Sequence, residues 1–332
     1  MKTWEKRTKL INGCETDISC PVIVSASRAT DIPAFYSDWI MNRFREGFVS
    51  WKNPFNQKTS YISFEKTRVV VFWTKNAKPM LKNLKELDSM NLNYYFQFTV
   101  NDYEKEHYEP NVPALNERID TFKELSERIG KNRVIWRFDP LFLTKDLNEE
   151  ILKDKIERVA EKLKNHTTKL VFSYADINVY RKVMLNLKRE QIPYLEFSHD
   201  RKLKMAEMIA EIAKKYKLIA ATCSEDIDLK KYGIEKNRCI DDRLMIQEFK
   251  NDTELMEFLG YREDTLFGDD SEKNSLKDKG QRKECGCIIS KDIGEYNTCG
   301  HLCVYCYANY SKDVVEKNLK KHKKEAETIV SE

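Results

Sequence analysis

The chain has 332 residues, enough for about two domains or one large α/β barrel, and enough in either case to bury a sizeable core. Hydrophobic residues make up 41% and charged residues 34%, which excludes a disordered, collagen-like or membrane-spanning composition. The net charge of +4 is close to balance and does not by itself indicate a nucleic acid or an anionic membrane as partner. No run of about 18 apolar residues occurs, and residues 1–7 are too charged for a secretory signal. We therefore expect a cytoplasmic protein without a membrane partner.

Six short runs rich in β-branched and aromatic residues alternate with stretches of helical period between residues 21 and 226. The runs are residues 22–25, 68–73, 94–99, 133–138, 169–173 and 218–222. Residues 147–163 and 203–216 repeat apolar side chains at three- and four-residue spacing, as helices that pack on a sheet do. The alternation predicts an α/β fold with a parallel sheet and crossover helices. Six strands are fewer than the eight of a complete barrel, so we expect a partial (β/α) TIM-like barrel.

Two segments depart from this alternation. Residues 48–64 contain Asn53-Pro54-Phe55-Asn56 between two β-like runs, which predicts a hairpin or insertion. Residues 262–284 carry seven acidic and six basic residues with few large apolar ones, which predicts a solvated linker. We therefore divide the chain into a partial barrel (1–260), a charged linker (261–284) and a cysteine-rich loop with a terminal helix (285–332).

Nine cysteines are present, an odd number that in a cytoplasmic protein favours metal or redox use over a disulfide framework. Cys299, Cys303 and Cys306 have the spacing C-x3-C-x2-C, which places three thiolates on one tight loop. A [4Fe–4S] cluster normally has four cysteine ligands. A three-cysteine loop therefore either takes a distant fourth ligand or leaves one iron open to a substrate or cofactor.

The loop resembles the signature of the radical S-adenosylmethionine (SAM) enzymes, in which an aromatic residue precedes the last cysteine, as Tyr305 does here. It is also similar to the loop of the branch that includes spore photoproduct lyase. A closer resemblance, to an uncharacterised family with C-terminal cysteines, spans most of the chain and includes residues 30–33, 72–76, 136–140, 285–287 and 296–299.

The radical SAM resemblance implies a [4Fe–4S] cluster whose open iron binds SAM. It also implies reductive cleavage of SAM to a 5′-deoxyadenosyl radical, with electrons from a donor such as flavodoxin or ferredoxin. The substrate is unknown, and a small molecule, a nucleotide or a nucleic acid is compatible with the resemblance. Lys320-Lys321-His322-Lys323-Lys324 is a candidate phosphate contact, but a solvated helix face is the favoured interpretation, because acidic residues follow this run and no aromatic residues interleave with it.

In most enzymes of the radical SAM type that the loop resembles, it follows the first strand of the barrel. Here the loop comes after all the other predicted strands, and a circular permutation of the barrel would reconcile the two arrangements. In that arrangement residues 287–290 form one more strand, which docks beside residues 22–25 together with the loop and a terminal helix over residues 313–330. This unit would complete a partial barrel of about seven strands.

Two other classes of function fit the same loop. The first is an electron-transfer or redox-sensing protein with a fully ligated cluster and no SAM chemistry. The second is a zinc-stabilised binding module, in which His301 or the Cys285/Cys287 pair completes a tetrahedral site. Because three thiolates already satisfy an open cluster, we expect His301 to be a loop-packing residue.

Four further cysteines are enough for a second [4Fe–4S] cluster or a structural zinc site: Cys223, Cys239, Cys285 and Cys287. The alternative for Cys223 and Cys239 is that they are small buried hydrophobic residues. Cys14 and Cys20 have no metal-binding set around them and are expected to be of that buried kind.

Polar residues follow the predicted strands, where α/β folds collect their ligands. The carboxylate, ribose and amine of SAM lead us to expect cofactor contacts from Arg28, Thr74, Lys75, Asn76, Arg137, Asp139, Ser173 and Tyr305. The structural alternatives are an ion pair between Arg137 and Asp139 and a solvated strand end at Lys75. Asp31 is interpreted as a helix N-cap.

Overall fold

The computed structural model describes residues 4–11, 13–54, 56–261 and 276–331. The strands of this part of the chain are β1 Glu5–Ile11, β2 Cys14–Cys20, β3 Ile23–Ala26, β4 Phe48–Lys52, β5 Thr59–Ser63, β6 Val69–Thr74, β7 Asn93–Thr99, β8 Val134–Leu141, β9 Leu143–Thr144, β10 Lys169–Tyr174, β11 Tyr194–Leu195, β12 Ile219–Thr222, β13 Glu235–Lys236 and β14 Lys291–Asp292. Its α-helices are α1 Ile32–Phe35, α2 Ser37–Glu46, α3 Leu84–Ser89, α4 Leu115–Ile129, α5 Glu149–Leu163, α6 Arg181–Arg189, α7 His199–Tyr216, α8 Asp242–Phe249, α9 Thr253–Leu259 and α10 Lys312–Lys321. Short 3-10 helices cover Lys78–Asn83, Lys131–Arg133 and Lys230–Tyr232.

An eight-stranded sheet with the order β13-β12-β10-β8-β7-β6-β3-β14 is the centre of the fold. Every neighbouring pair in it is parallel. The six strands predicted from the sequence are its six inner strands, so the predicted parallel α/β architecture is confirmed. The edge strands β13 and β14 do not pair with each other, and strand pairing among the described residues gives an open sheet rather than a closed barrel.

Both faces of the sheet are covered, which is why its strands are apolar runs rather than alternating ones. One face, with Val70, Phe72 and Phe96, belongs to the main core, which the longer helices cover. The other face, with Val71 and Tyr95, packs in a second core together with apolar residues of α8 and α9. Because both faces are packed in apolar cores, polar side chains are expected mainly at the strand ends, where the sequence predicted ligand-binding residues.

A smaller sheet with the order β1-β2-β5-β4 is formed by two strands before β3 and two strands between β3 and β6. Its β4–β5 pair is antiparallel and confirms the hairpin expected over residues 48–64. Its β1–β2 hairpin was not predicted, because β1 is charged on both faces and carries no alternating pattern. Cys20 is buried on β2 as expected, whereas Cys14 at the start of this strand is exposed, which corrects its assignment as a buried residue.

The C-terminal segment docks beside β3, but with different element bounds from those predicted. The strand is β14 at Lys291–Asp292 rather than residues 287–290, and it pairs in parallel with Val24 and Ser25 of β3.

The terminal helix α10 ends at Lys321, instead of continuing to residue 330. After the helix, the chain is held against α2, because three side chains of α2 donate hydrogen bonds to its backbone carbonyls. Trp39 donates to the carbonyl of Ala326, Asn42 to that of Lys324 and Arg43 to that of Glu325. The expected linker lies outside the described residues over positions 262–275, and Leu276 just after them is buried. In the described residues, none of the helices has the length and apolar character needed to cross a bilayer.

We expect Leu152→Ala to lower the free energy of unfolding by about 2–5 kcal/mol, because it leaves a cavity under α5. Leu152 is fully buried, whereas its neighbour Ile151 is 38% exposed. Ile151→Ala is the matched control and should cost about 0.5 kcal/mol or less. Urea unfolding of the two variants measures both values, and equal losses would contradict the packing described for α5.

Candidate functional site

The cysteine loop, residues 299–306, lies over the carboxyl edge of the parallel sheet. Its Tyr305 hydroxyl is 3.2 Å from Nζ of Lys75, which follows β6, and 3.1 Å from Nδ2 of Asn101, which follows β7. Asn111 Nδ2 donates to the carbonyl of Gly300 at 2.8 Å. The loop is thus fixed at the end of the sheet where the sequence predicted ligand-binding residues.

A buried carboxylate, Glu109, is the common acceptor beneath the loop. It accepts hydrogen bonds from Lys75 Nζ at 2.7 Å, from Asn101 Nδ2 at 2.9 Å and from the Tyr305 hydroxyl. Burial raises the pKa of Glu109, but the Lys75 and Arg118 charges and the Lys75 and Tyr305 hydrogen bonds outweigh burial and hold the pKa at about 2. Burial and the Glu109 charge raise the pKa of Tyr305, so its hydroxyl stays protonated and donates. Glu109 lies in the irregular segment between β7 and α4, and no sequence pattern indicated it.

A second buried carboxylate, Asp31, joins three parts of the chain. Its Oδ1 accepts from the backbone N–H of Ala34 at 3.0 Å, which confirms the predicted N-cap of α1. Its Oδ2 accepts from the backbone N–H of Lys75 and lies 2.7 Å from Nε2 of His301. Because Nδ1 of His301 faces the carbonyl of Asn111 at 3.3 Å, both ring nitrogens have partners and His301 packs the loop, as expected.

The thiols of Cys299, Cys303 and Cys306 share one electrostatic environment. Burial raises the pKa of Cys303, the Lys75 charge partly offsets this rise, and the neighbouring Cys299 and Cys306 groups add to it. Burial likewise raises the pKa of Cys306, against which the backbone amides of Ala308 and Asn309 act. Burial also raises the pKa of Cys299, and the backbone amides of His301 and Asp31 act against this rise without cancelling it.

The donor set of this loop fits an iron–sulfur cluster. Thiolates are the ligands that such clusters use, and amide N–H groups directed at the sulfurs are the usual second shell. A bound cation would also relieve the cost of ionising three buried thiols close together. In the described residues, however, no group of three or more His, Cys, Asp or Glu side chains is already arranged around a metal position.

Two expected cofactor contacts, Arg137 and Asp139, bind each other, as the structural alternative proposed. Arg137 donates to Asp139 Oδ2 through Nε at 3.1 Å and through Nη2, and the Ser173 hydroxyl donates to Asp139 Oδ1. Nη1 of Arg137 donates to Gln97 Oε1 and lies 3.1 Å from the sulfur of Cys239. Arg137, Asp139 and Ser173 therefore lie together at the strand ends, and they form hydrogen bonds with one another.

An indole ring lies between two guanidinium groups at the same edge. The Cζ atoms of Arg28 and Arg137 are each 5.3 Å from the centre of the Trp73 ring, whose Nε1 donates to Ser25 Oγ. Asp292 Oδ2 accepts from the backbone N–H of Arg28 at 2.9 Å. Nη2 of Arg28 is buried and has no hydrogen-bond partner among the described residues, so this donor is available to an anionic ligand.

The remaining expected contacts have local partners. Thr74 Oγ1 accepts from the backbone N–H of Asn76, and Asn76 Oδ1 accepts from that of Lys78, so both side chains form the turn that follows β6. The basic run at residues 320–324 lies at the end of α10 and just after it, with its lysines exposed. The second set of cysteines gathers at the sheet edge: Cys223, Cys239, Cys285 and Cys287.

Residues 23–308 match the family described as domain of unknown function DUF1848, and the chain belongs to this family. This confirms the resemblance to an uncharacterised family. No curated protein matches the chain. Among solved structures, a putative α-L-fucosidase from Bacteroides thetaiotaomicron is similar at 10% identity with a TM-score of 0.26, over 59% of this chain and 75% of that one.

We expect Glu109→Gln to lower the free energy of unfolding at pH 7 by about 3 kcal/mol, because it leaves buried positive charges without their partner. The pKa of this carboxyl falls from 4.5 to about 2 on folding, so its contribution is present above pH 4.5 and is lost as the pH falls towards 2. Urea unfolding at a series of pH values should therefore show the difference between wild type and variant shrinking across that range.

The control for this series is Glu117→Gln, at an exposed position of α4. It should change the stability by about 0.5 kcal/mol or less at every pH. A difference for Glu109→Gln that stays constant from pH 7 to pH 2 would contradict the depressed pKa.

Proposed function

We propose that the protein is an iron–sulfur enzyme of the radical SAM type. In this proposal Cys299, Cys303 and Cys306 hold three irons of a [4Fe–4S] cluster, and SAM binds at the fourth iron. The observation that carries the proposal is the position of the C-x3-C-x2-C loop, whose three thiols lie close together beside Lys75 at the carboxyl edge of a parallel sheet. When bound, the cluster would supply the electron that cleaves SAM to a 5′-deoxyadenosyl radical.

The residues around the loop have distinct tasks in this proposal. The Glu109 network orients Tyr305 and therefore the loop segment between Cys303 and Cys306. The His301–Asp31 contact fixes the segment between Cys299 and Cys303. Lys75 supplies a positive charge close to Cys303, which favours its thiolate form.

Arg28 is the residue that we assign to the carboxylate of SAM. Its Nη2 is a buried donor without a partner in the described residues, whereas Arg137 is engaged by Asp139 and Gln97. A charged donor buried without an acceptor is costly, and an anionic ligand would remove that cost. The pair Asp139–Ser173 remains at the same edge for the hydroxyl or amine groups of the ligand. The substrate and the electron donor are not assigned.

The first experiment is to measure iron, sulfide and the electron paramagnetic resonance (EPR) spectrum of anaerobically purified, reduced protein, with and without SAM. We expect about four irons and four sulfides for the loop site and a spectrum that changes when SAM is added. A cluster whose EPR spectrum does not change when SAM is added would indicate an electron-transfer or redox-sensing protein. Zinc without sulfide at the loop would indicate a binding module, and either result would contradict the proposal.

Cys303→Ala should abolish both the SAM-sensitive signal and the formation of 5′-deoxyadenosine, because two thiolates no longer hold the cluster in the loop. The matched control is Cys20→Ala, a buried cysteine on β2 that belongs to neither set of cysteines. It should retain both properties. SAM cleavage that persists in Cys303→Ala would rule out the assignment of the loop.

Arg28→Met should weaken SAM binding at least about tenfold, the equivalent of one lost charge-assisted hydrogen bond, while the iron content stays unchanged. Arg181→Met, at an exposed position of α6, is the control and should leave the affinity unchanged. Equilibrium titration of the EPR change with SAM measures both affinities. An unaltered affinity in Arg28→Met would show that another group binds the carboxylate.

A further inference from the structure

Four thiols from three separate segments meet beside the cysteine loop, in a group that the proposed function does not use. Cys223 follows β12, Cys239 follows β13, and Cys285 and Cys287 precede β14. The sulfurs of Cys223 and Cys239 are 3.4 Å apart, the backbone nitrogen of Cys239 lies 3.3 Å from the sulfur of Cys287, and the thiols of Cys287 and Cys285 interact electrostatically. All four thiols are free of disulfides, and only Cys223 is more than slightly exposed.

Hydrogen-bond donors already surround these sulfurs. Arg137 Nη1 and Asn237 Nδ2 each lie 3.1 Å from the sulfur of Cys239. The backbone N–H groups of Cys239 and Ile240 point to the sulfur of Cys287 at 3.3 and 3.4 Å. Amide and guanidinium donors stabilise thiolates rather than thiols, as they do around metal-bound cysteines. These donors would stabilise the sulfurs as thiolates around a bound cation.

The distance between the sulfurs discriminates between the two kinds of centre that four thiolates hold. Zinc–sulfur bonds of about 2.3 Å in a tetrahedron place the sulfurs about 3.8 Å apart. The observed separation of 3.4 Å between Cys223 and Cys239 is close to that value. A [4Fe–4S] cluster places a cube of iron and sulfide between its four thiolates, which requires a wider space. Direct sulfur–sulfur contact thus favours a single small ion.

The four sulfurs have little room to move apart around a larger cluster, because the chain at Gly286, between Cys285 and Cys287, is closely packed. A Cβ atom at Gly286 would lie 3.0 Å from Cγ of Arg238 and 3.2 Å from the carbonyl oxygen of Asn237. The Cys-Gly-Cys segment is therefore packed directly against the loop that carries Cys239.

The segment with Cys285 and Cys287 also runs between β13 and β14, the two edge strands of the sheet, which do not pair with each other. The segment that contains Cys285 and Cys287 begins beside one edge strand, where Glu284 forms a 3.1 Å ion pair with Lys236 of β13. It ends as β14 at the other edge, beside β3. An ion shared by Cys223, Cys239, Cys285 and Cys287 would bind this crossing segment to the sheet.

We propose that Cys223, Cys239, Cys285 and Cys287 bind one zinc ion, which fastens the segment between the two edge strands. Each thiol would lose its proton when it binds the ion, and the four sulfurs would surround the ion as a tetrahedron. Zinc undergoes no redox change, so the role of the site is to stabilise the fold. The proposal is independent of SAM chemistry, because it involves none of the three loop cysteines.

The test uses the full chain with Cys299, Cys303 and Cys306 all changed to Ser, which removes the loop site. We expect this variant to purify with one zinc per chain and without sulfide. Replacement of the zinc by Co²⁺ should give the visible and near-ultraviolet bands of tetrahedral cobalt with four sulfur ligands. Removal of the ion with a chelator should increase cleavage by protease between residues 276 and 292.

Adding Cys285→Ser and Cys287→Ser to that variant should reduce bound zinc at least tenfold, whereas adding Cys20→Ser, as the control, should leave it unchanged. The cobalt spectrum of the variant with intact Cys285 and Cys287 keeps the test valid even if the further substitutions prevent folding. Iron with sulfide in the loop-free variant would overturn the assignment to zinc. Metal-free protein with four freely reactive thiols would overturn the site itself. Neither result would depend on whether the loop binds SAM.

Discussion

The arrangement depends on buried carboxylates that hold a C-terminal loop over the end of a sheet formed earlier in the chain. Asp31 joins the start of α1, the end of β6 and His301, and Glu109 joins Lys75, Asn101 and Tyr305. A buried carboxylate is stable only when its acceptor sites are filled by donors or positive charges, so each one fixes the position of several segments at once. Asp31 and Glu109 thus position the loop that carries the three thiols, through their contacts with His301 and Tyr305.

The inner strands could be predicted because a parallel sheet covered on both faces requires runs such as Val69–Thr74 to be apolar throughout. The edge strands β13 and β14 have two residues each, too few to show any period. The thiol sets followed from cysteine spacing and number alone. Glu109 could not be predicted, because its burial results from the folding of an irregular segment under the loop, and no local pattern marks such a residue.

Two groups of sulfur ligands at one sheet edge differ in ways that suit two different tasks. The loop thiols influence one another electrostatically and lie near Lys75, whose Nζ contacts the Tyr305 hydroxyl. The other four include two sulfurs in direct contact, and in the proposed zinc site they would join the crossing segment to the sheet. Arg137 connects the groups, since it lies beside Cys239 and binds Asp139 among the expected ligand contacts. A stable closing site would keep the strand ends in place for the reactive one.

In the proposed function, the Cys299–Cys303–Cys306 loop leaves one iron open to SAM. Pulsed EPR of the reduced protein, with SAM that carries ¹⁵N in its methionyl amino group, tests this assignment. We expect a hyperfine coupling between that nitrogen and the cluster, because an open iron would bind the amine. A cluster spectrum without any coupling to the labelled nitrogen, at a SAM concentration that saturates binding, would contradict it.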